Sequence, residues 1–197
     1  GPQNSARMYV RCFDAAGNAA NSYFTLNYQA RTTSFGNANK GIAFIWADQP
    51  SSASYTPNSF YNYNSTGVAN TVTRSGTGVY AVDIHGLSPI HSDVQVTAYS
   101  SSAARCKVSG WGSDGSTGTS IGVRCFNSAG APSDMLYSLS YAVREGFGDR
   151  SAATTHAVFA WANQPTSTTA YVPSTSYQYN EYATGHLKAV KNSTGFY

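Results

Sequence analysis

The sequence predicts an all-β protein that folds as an internally duplicated antiparallel β-sandwich or barrel. Three observations predict this class: a composition rich in strand and turn formers, short segments of alternating polarity, and motifs that occur twice. The 197 residues include 15 tyrosines and 18 glycines, whereas charged residues reach only 11%, less than half the roughly 25% of an average soluble domain. Tyr, Thr and Val favour strands, and Gly, Asn and Ser favour turns.

Short strands are predicted through the middle of the chain. In the segment 104–109, Ala104, Cys106 and Val108 lie on one face and Arg105 and Lys107 on the other, which is the alternation of a half-buried strand. Similar segments, separated by Gly, Ser, Asp or Pro, are 78–84, 93–99, 120–126 and 135–141. Because many short strands at this spacing are typical of all-β folds, and no convincing helical period occurs, we expect no helical domain.

A set of motifs occurs twice in the same order. Residues 10–28, VRCFDAAGNAANSYFTLNY, align without a gap to residues 123–141, VRCFNSAGAPSDMLYSLSY, at an offset of 113. The motif WADQP at 46–50 returns as WANQP at 161–165, and TGVY at 77–80 returns as TGFY at 194–197. Three collinear matches predict a duplicated unit of about 115 residues.

The predicted units begin out of phase with the chain. Residues 41–143 form a complete unit, residues 1–36 the late part of one, and residues 157–197 the early part of a further one. We expect either that 157–197 completes 1–36, or that both pair with neighbouring units of a longer tandem array. Residues 1–2 have the sequence Gly-Pro, typical of the remnant of a cleaved tag.

The cysteines are expected to form one disulfide. The chain has Cys12, Cys106 and Cys125, and Cys12 is the repeat equivalent of Cys125, whereas an equivalent of Cys106 would precede residue 1. We therefore predict a Cys106–Cys125 bridge and an unpaired Cys12; the alternative is three buried thiols. A disulfide implies an oxidising compartment, so an extracellular location, secreted or at the cell surface, is expected.

Two resemblances to known families follow from these motifs. The segment VRCFDAAGN at residues 10–18 resembles the late hairpin of bacterial immunoglobulin-like and fibronectin type III-like domains. The whole repeat, with its Trp-Ala-[Asp/Asn]-Gln-Pro and Tyr-x-Tyr-Asn elements, is similar to uncharacterised β-repeat proteins secreted by actinobacteria. These resemblances imply a sandwich fold and export, and they transfer no functional residue.

The first candidate site is aromatic. Tyrosine pairs on one strand face, interleaved with Asn or Gln, suit stacking on sugar rings and hydrogen bonding to hydroxyls; the alternative is ordinary cross-strand packing. The candidate ligand-binding residues are Tyr61, Tyr63, Asn64, Tyr177, Tyr179 and Asn180. Trp46, Trp111 and Trp161 are predicted to be core residues, with Phe44 beside Trp46 and Phe159 beside Trp161 on one core-facing stripe.

The second candidate site is a histidine cluster at residues 83–93, DIHGLSPIHSD. If two strands flank a turn over 86–90, His85 and His91 face each other across a hairpin and form a metal site, with Asp83 and Asp93 orienting them. The same residues with a nearby serine are also compatible with a hydrolase triad. The alternative is solvent-exposed turn chemistry.

These observations favour a secreted, non-catalytic binding module for a glycan or cell-wall polysaccharide. The alternative is a structural or adhesive repeat protein that assembles with other copies of itself, unit to unit, into an array or filament; an exported hydrolase is third. No cofactor is expected. The net charge of +3 comes without a run of Lys or Arg, so no nucleic-acid partner is expected, and Arg11 and Arg124 are interpreted as solvated side chains that cover strands. No apolar stretch approaches the length of a membrane span.

Overall fold

The computed structural model of the chain describes residues 8–26, 41–144, 158–180 and 185–194, and these parts are all-β. The strands are β1 (Gly41–Ala47), β2 (Ser54–Tyr55), β3 (Asn62–Asn64), β4 (Thr71–Gly76), β5 (Val79–Ile84), β6 (Ser92–Ala98), β7 (Arg105–Ser113), β8 (Thr119–Phe126), β9 (Tyr137–Val143), β10 (Val158–Ala160) and β11 (Gln178–Asn180). Short 3-10 helices span Ser59–Tyr61 and Thr175–Tyr177. The predicted all-β class is confirmed.

Nine of these strands form two antiparallel sheets. One sheet has the order β2-β4-β5-β8-β7 and the other the order β3-β1-β9-β6. The two sheets do not close on each other, so the sandwich, rather than the barrel, is the observed alternative. Strands β10 and β11 form a separate antiparallel pair. The described ranges contain no helix that is long and apolar enough to cross a membrane.

The core lies between the two sheets because side chains alternate along each strand. In the five-stranded sheet every second residue of β5 and β8 is buried, and in the four-stranded sheet β9 buries its residues in the same way. Among the largest fully buried side chains are Val82, Ile84, Ile121, Val123, Tyr137, Leu139 and Tyr141. Burial raises the pKa of the Tyr141 hydroxyl to about 12.

The face that β1 turns to the core is the opposite of the predicted one. The buried residues are Ala43, Ile45 and Ala47, whereas Phe44 and Trp46 lie on the outer face of the sheet. The prediction that Phe44 and Trp46 form a core stripe is therefore wrong. Both faces of β1 are apolar, so alternation does not decide between them. Ala43 and Ala47 are the partners of the buried Tyr141 and Tyr137 of β9, and small residues beside these rings suit a close-packed core.

The predicted disulfide is confirmed. Cys106 and Cys125 are bonded, and they lie directly opposite each other on β7 and β8. The Cys125 side chain is fully buried, so the bridge ties β7 to the core side of the sheet. Cys12 is a free thiol. An intact disulfide fits an extracellular protein.

A carboxylate at the start of the last core strand links both sheets. Asp134, three residues before β9, accepts hydrogen bonds from Arg74 Nε at 2.9 Å and Nη2 at 2.8 Å. It also accepts hydrogen bonds from the Gly78 amide at 2.9 Å and from the Tyr80 hydroxyl at 3.2 Å. These contacts, the Arg74 hydrogen bonds above all, lower the pKa of Asp134. Asp134 therefore joins the β4–β5 hairpin to the segment that enters β9.

Two turns that the sequence aligns have the same hydrogen bonds. The Asp14 amide donates to the Asn18 carbonyl at 2.9 Å, and the Asn127 amide donates to the Ala131 carbonyl at the same distance. In both turns the glycine before the closing residue has φ of 86°, a conformation that favours glycine. The first turn lies on the sandwich beside the second, where a Cβ at its glycine would stand 3.4 Å from Ala103.

Candidate functional site

The candidate residues of the complete predicted unit form an aromatic platform on the outer face of β1. The platform consists of Phe44, Trp46, Tyr61, Tyr63 and Tyr99. The ring centroids of Phe44 and Tyr63 are 5.3 Å apart, those of Trp46 and Tyr61 are 5.3 Å apart, and those of Trp46 and Tyr99 are 5.5 Å apart. Tyr61 is 52% and Tyr99 is 63% exposed. The structure thus brings Tyr61 and Tyr63 to one face, although Tyr61 belongs to the 3-10 helix before β3.

The amide predicted to accompany these rings is part of the protein interior. Asn64 is buried, and its amide nitrogen donates to Asn70 Oδ1 at 3.0 Å and to the His85 carbonyl at 2.9 Å. Its Oδ1 accepts from the amide and hydroxyl of Thr66. These contacts hold the loop after β3 in place, so the exposed rings of Tyr61 and Tyr99 are the part of the platform that is open to a ligand.

Residues 158–180 carry a second aromatic pair of the same design. The register Phe159↔Tyr179 between β10 and β11 corresponds to Phe44↔Tyr63 between β1 and β3. The Phe159 and Tyr179 centroids are 5.7 Å apart. The amide of Asn180 donates to the Gly185 carbonyl at 2.9 Å. The predicted residues Tyr179 and Asn180 therefore lie on β11, and Tyr177 ends the 3-10 helix directly before it.

A different pair on the same segment, the Trp161–Tyr177 pair, is covered by a tryptophan of β7, unlike the platform. Trp111 lies 5.6 Å from Trp161 and 5.3 Å from Tyr177 between ring centroids, and Trp161 and Tyr177 are 5.3 Å apart. The indole nitrogen of Trp111 donates to Ser92 Oγ at 2.8 Å, which fixes the orientation of the ring. Trp111 packs against the core, but Trp161 is 46% exposed, so the prediction of a core Trp161 is wrong.

His91 fastens the same segment by two hydrogen bonds. Its backbone amide donates to the Ser176 carbonyl at 2.7 Å, and its Nδ1 lies 2.9 Å from the Gln178 carbonyl. Since a carbonyl only accepts, Nδ1 carries the proton in this bond. His91 has φ of 58°, uncommon for a residue with a side chain. We call His91, Ser92 and Trp111, together with Trp161 and residues 176–178, the docking interface.

The structure separates the two halves of the predicted histidine hairpin. His85 follows β5 and His91 precedes β6, and these strands belong to different sheets, so the expected hairpin is wrong. The contacts of the candidate residues also differ from the predicted ones. His85 Nε2 lies 3.4 Å from Thr71 Oγ1, and Asp93 accepts a hydrogen bond from the side-chain amide of Gln95. Within the described ranges, no three His, Cys, Asp or Glu residues are grouped as metal ligands. Metal binding by His85 and His91 stays a prediction.

The role of Trp111 in covering Trp161 and Tyr177 was not predicted from the sequence. Its signal is the run Ser109-Gly110-Trp111-Gly112, in which an aromatic residue stands between glycines on an edge strand. The register between β7 and β8 shifts between Val108 and Gly110. Such a bulge bends an edge strand and redirects the next side chain, here toward residues 158–180.

Comparison with protein-family models, with curated proteins and with solved structures found no match to this chain. The resemblances drawn from the hairpin and the repeat motifs stay predictions, and the geometry of the described residues carries the functional argument.

Proposed function

We propose that this chain is an extracellular, non-catalytic repeat protein whose β-sandwich units assemble by docking the Trp–Tyr pair of one unit, as in Trp161–Tyr177 or Trp46–Tyr61, on the Trp111 edge of another. The observation that carries the proposal is the contact of Trp111 with both Trp161 and Tyr177. The Cys106–Cys125 disulfide supports the extracellular location. This is the structural or adhesive alternative of the sequence analysis.

The docking interface has the features of a specific contact. Trp111 meets Tyr177 at an interplanar angle of 85°, and Trp161 meets Tyr177 at 88°; edge-to-face pairs of this kind contribute about 0.5–1.5 kcal/mol each beyond the buried area. The hydrogen bonds from His91 to two peptide carbonyls fix the register of the segment. Ring packing thus supplies affinity, and the backbone contacts supply orientation.

The platform on β1 offers the same surface to a second copy. Trp46 and Tyr61 are related as Trp161 and Tyr177 are, with ring centroids 5.3 Å apart in both pairs and interplanar angles of 85° and 88°. The Trp161–Tyr177 pair packs on Trp111 of the same chain, whereas Tyr61 is half exposed. The partner that suits Trp46 and Tyr61 is therefore a Trp111 edge from another unit.

Full-length variants test this proposal. Trp161→Ala with Tyr177→Ala uncovers Trp111, so we expect the double variant to self-associate in a concentration-dependent manner, measured by sedimentation velocity. Adding Trp46→Ala and Tyr61→Ala removes the opposite surface and should return the protein to its original size distribution.

A matched control replaces another exposed aromatic residue. Tyr23 is fully exposed, so Tyr23→Ala added to the double variant should leave its association unchanged. The proposal is wrong if the double variant does not associate, or if association persists once Trp46 and Tyr61 are removed.

A second candidate function is glycan binding on the same platform. It is favoured by the exposure of Tyr61 and Tyr99 on either side of Trp46, since exposed aromatic patches mark binding surfaces and sugar C–H groups pack on ring faces. Pull-down with insoluble polysaccharides should lose its signal in Tyr61→Ala and Tyr99→Ala but not in Tyr23→Ala. Equal retention of all three variants would exclude this candidate.

A further inference from the structure

A cluster of cations lies on the outer face of the five-stranded sheet, away from both aromatic surfaces. Cys106 and Val108 of β7 pack against the core, so Arg105 and Lys107 point outward, and both are exposed. On β8 the neighbouring Arg124 is exposed as well, between the buried Val123 and Cys125. The disulfide between the two strands holds these positions together.

Two of the cations stand directly opposite each other. Lys107 and Arg124 are register partners, and side chains at such positions have Cβ atoms about 4.5–5.5 Å apart. Like charges directly opposite each other on neighbouring strands are destabilising. Neither side chain forms an ion pair with the part of the chain that the structure describes, so the repulsion is not offset by a neighbouring carboxylate there.

An aromatic ring organises the cluster. The Arg105 guanidinium lies 5.4 Å and the Lys107 ammonium 5.9 Å from the centroid of the Phe126 ring. Ring faces attract cations at these distances, so Phe126 holds both groups near β8. The cations therefore surround one ring instead of spreading into solvent.

The cluster borders a groove of about 440 Å³. Its lining includes Gly78, Lys107, Ser109, Arg124, Phe126 and Pro132. A volume of this order is typical of small-ligand sites, and it suits one or two sugar rings. None of the described residues that line the groove is acidic.

Among the described residues, the carboxylates of Asp134 and Asp83 do not offset the positive charge of the groove. Asp134 accepts a hydrogen bond from the Gly78 amide. Its charge is neutralised by the Arg74 guanidinium, which donates to the carboxylate through Nε and Nη2. Asp83 lies on the same face of β5, four residues beyond Val79, the partner of Arg124. That separation corresponds to about 13 Å along the strand.

We propose that this groove binds the acidic groups of an extracellular polysaccharide, with Lys107 and Arg124 contacting a carboxylate or sulfate between them. An anion at this position removes the repulsion between the opposed cations, which is the physical reason for placing them there. Phe126 and the Ser109 hydroxyl line the same groove and suit a sugar ring and its hydroxyls. Nucleic acid is disfavoured because it needs a longer basic track than three clustered cations.

The experiment measures binding of full-length protein to heparin, which carries sulfate and carboxylate, and to polygalacturonate, which carries carboxylate alone. Neutral dextran and a short DNA duplex serve as comparisons. We expect binding to at least one acidic polysaccharide, weakened by salt, and about tenfold weaker binding for Lys107→Gln and for Arg124→Gln. Binding to both polymers identifies carboxylate as sufficient, whereas binding to heparin alone identifies sulfate.

Two further variants separate binding from folding. Lys188 is an exposed cation near the end of the chain, so Lys188→Gln removes the same charge elsewhere and should bind as the unaltered protein does. Lys107→Glu replaces a like-charge pair with an opposite-charge pair and should raise the melting temperature by about 1–3 °C while abolishing binding.

The proposal fails if dextran binds as well as the acidic polymers, if Lys188→Gln weakens binding as much as Arg124→Gln, or if Lys107→Glu still binds. Tighter binding to DNA than to either polysaccharide would also overturn it. None of the substituted residues belongs to the platform or the docking interface, so these outcomes are independent of the unit-to-unit proposal.

Discussion

Replacing Asp134 with alanine tests how the two sheets are joined. The substitution removes the acceptor of four hydrogen bonds, two from Arg74 and one each from the Gly78 amide and the Tyr80 hydroxyl. Tyr80 keeps a second acceptor, the Pro50 carbonyl at 3.0 Å, and Arg74 lies at the surface, where water replaces its partner. Gly78 is buried, and its amide is left without an acceptor.

The expected loss follows from that amide. A buried donor without an acceptor costs about 1–3 kcal/mol, so we expect Asp134→Ala to lower the free energy of unfolding by about 2 kcal/mol. Asp134→Asn keeps an oxygen for the Gly78 amide but loses the charge and the acceptor of Arg74 Nη2. Because Arg74 lies at the surface, where water replaces that acceptor, the loss should be smaller than that of Asp134→Ala. Guanidinium unfolding followed by circular dichroism measures both values.

The pH dependence gives a second check. The pKa of Asp134 is lowered in the folded protein, chiefly by the Arg74 hydrogen bonds, so its carboxylate stabilises the fold above its ordinary pKa and this stabilisation is lost as pH falls through the lowered value. The difference between the unaltered protein and Asp134→Asn should be constant near neutral pH and shrink below about pH 4. A difference that does not change with pH, or an Asp134→Ala loss no larger than that of Asp134→Asn, would refute the reasoning.

Two other predictions concern the disulfide and a turn. Replacing Cys106 and Cys125 by serine should lower the free energy of unfolding by about 3 kcal/mol, as expected for a closed loop of this size. Thiol titration of the denatured, unaltered chain should find one thiol without reductant and three with it. Three thiols in both conditions would disprove the bridge. Both Gly78, with φ of 66°, and Gly67, with φ of 84°, lie in the left-handed region. A Cβ at Gly78 would lie 2.4 Å from the Cys125 carbonyl oxygen, whereas a Cβ at Gly67 would meet open space. Gly78→Ala should therefore lower the melting temperature far more than Gly67→Ala, which carries only the backbone penalty of about 1 kcal/mol; equal shifts would show that the surroundings of Gly78 give way.

The strands of the sandwich were predictable because alternation and turn residues act locally. The predicted segments 78–84 and 120–126 differ by one residue at most from β5 and β8. β7 extends to Ser113, four residues past the predicted end. Gly110 and Gly112 indicate a strand end in the sequence, but a bulge accommodates them within the ladder.

The disulfide was predictable for a different reason. Its prediction used the equivalence of Cys12 and Cys125 in the aligned motifs, which singled out Cys106 as the one remaining partner. The same alignment of motifs made the tyrosine pair at 61 and 63 equivalent to the pair at 177 and 179. The matching registers of β1–β3 and β10–β11 agree with that equivalence. The tandem duplication itself stays a prediction.

Arrangements that depend on contacts between distant strands were not predictable. The inward face of β1 depends on its neighbours in the sheet, among them the buried Tyr137 and Tyr141 of β9, which its own residues do not encode. The separation of His85 from His91 depends on a connection that crosses from one sheet to the other. The cover that Trp111 gives to Trp161 and Tyr177 joins residues about fifty to sixty-six positions apart, beyond the reach of any local pattern.

The pairing of β1 with β9 has a consequence for how the protein acquires its structure. Gly41 is opposite Val143 and Ala47 is opposite Tyr137. β1 therefore pairs with the nearby β3 on one side and with the distant β9 on the other. The chain between β1 and β9 is about 90 residues long, and pairing strands that are so far apart in sequence is slow compared with forming a hairpin. A chain emerging from a ribosome or an export channel therefore holds an unpaired apolar edge on β1 until residue 143 is free, and this stretch of synthesis is when chaperone binding would matter most.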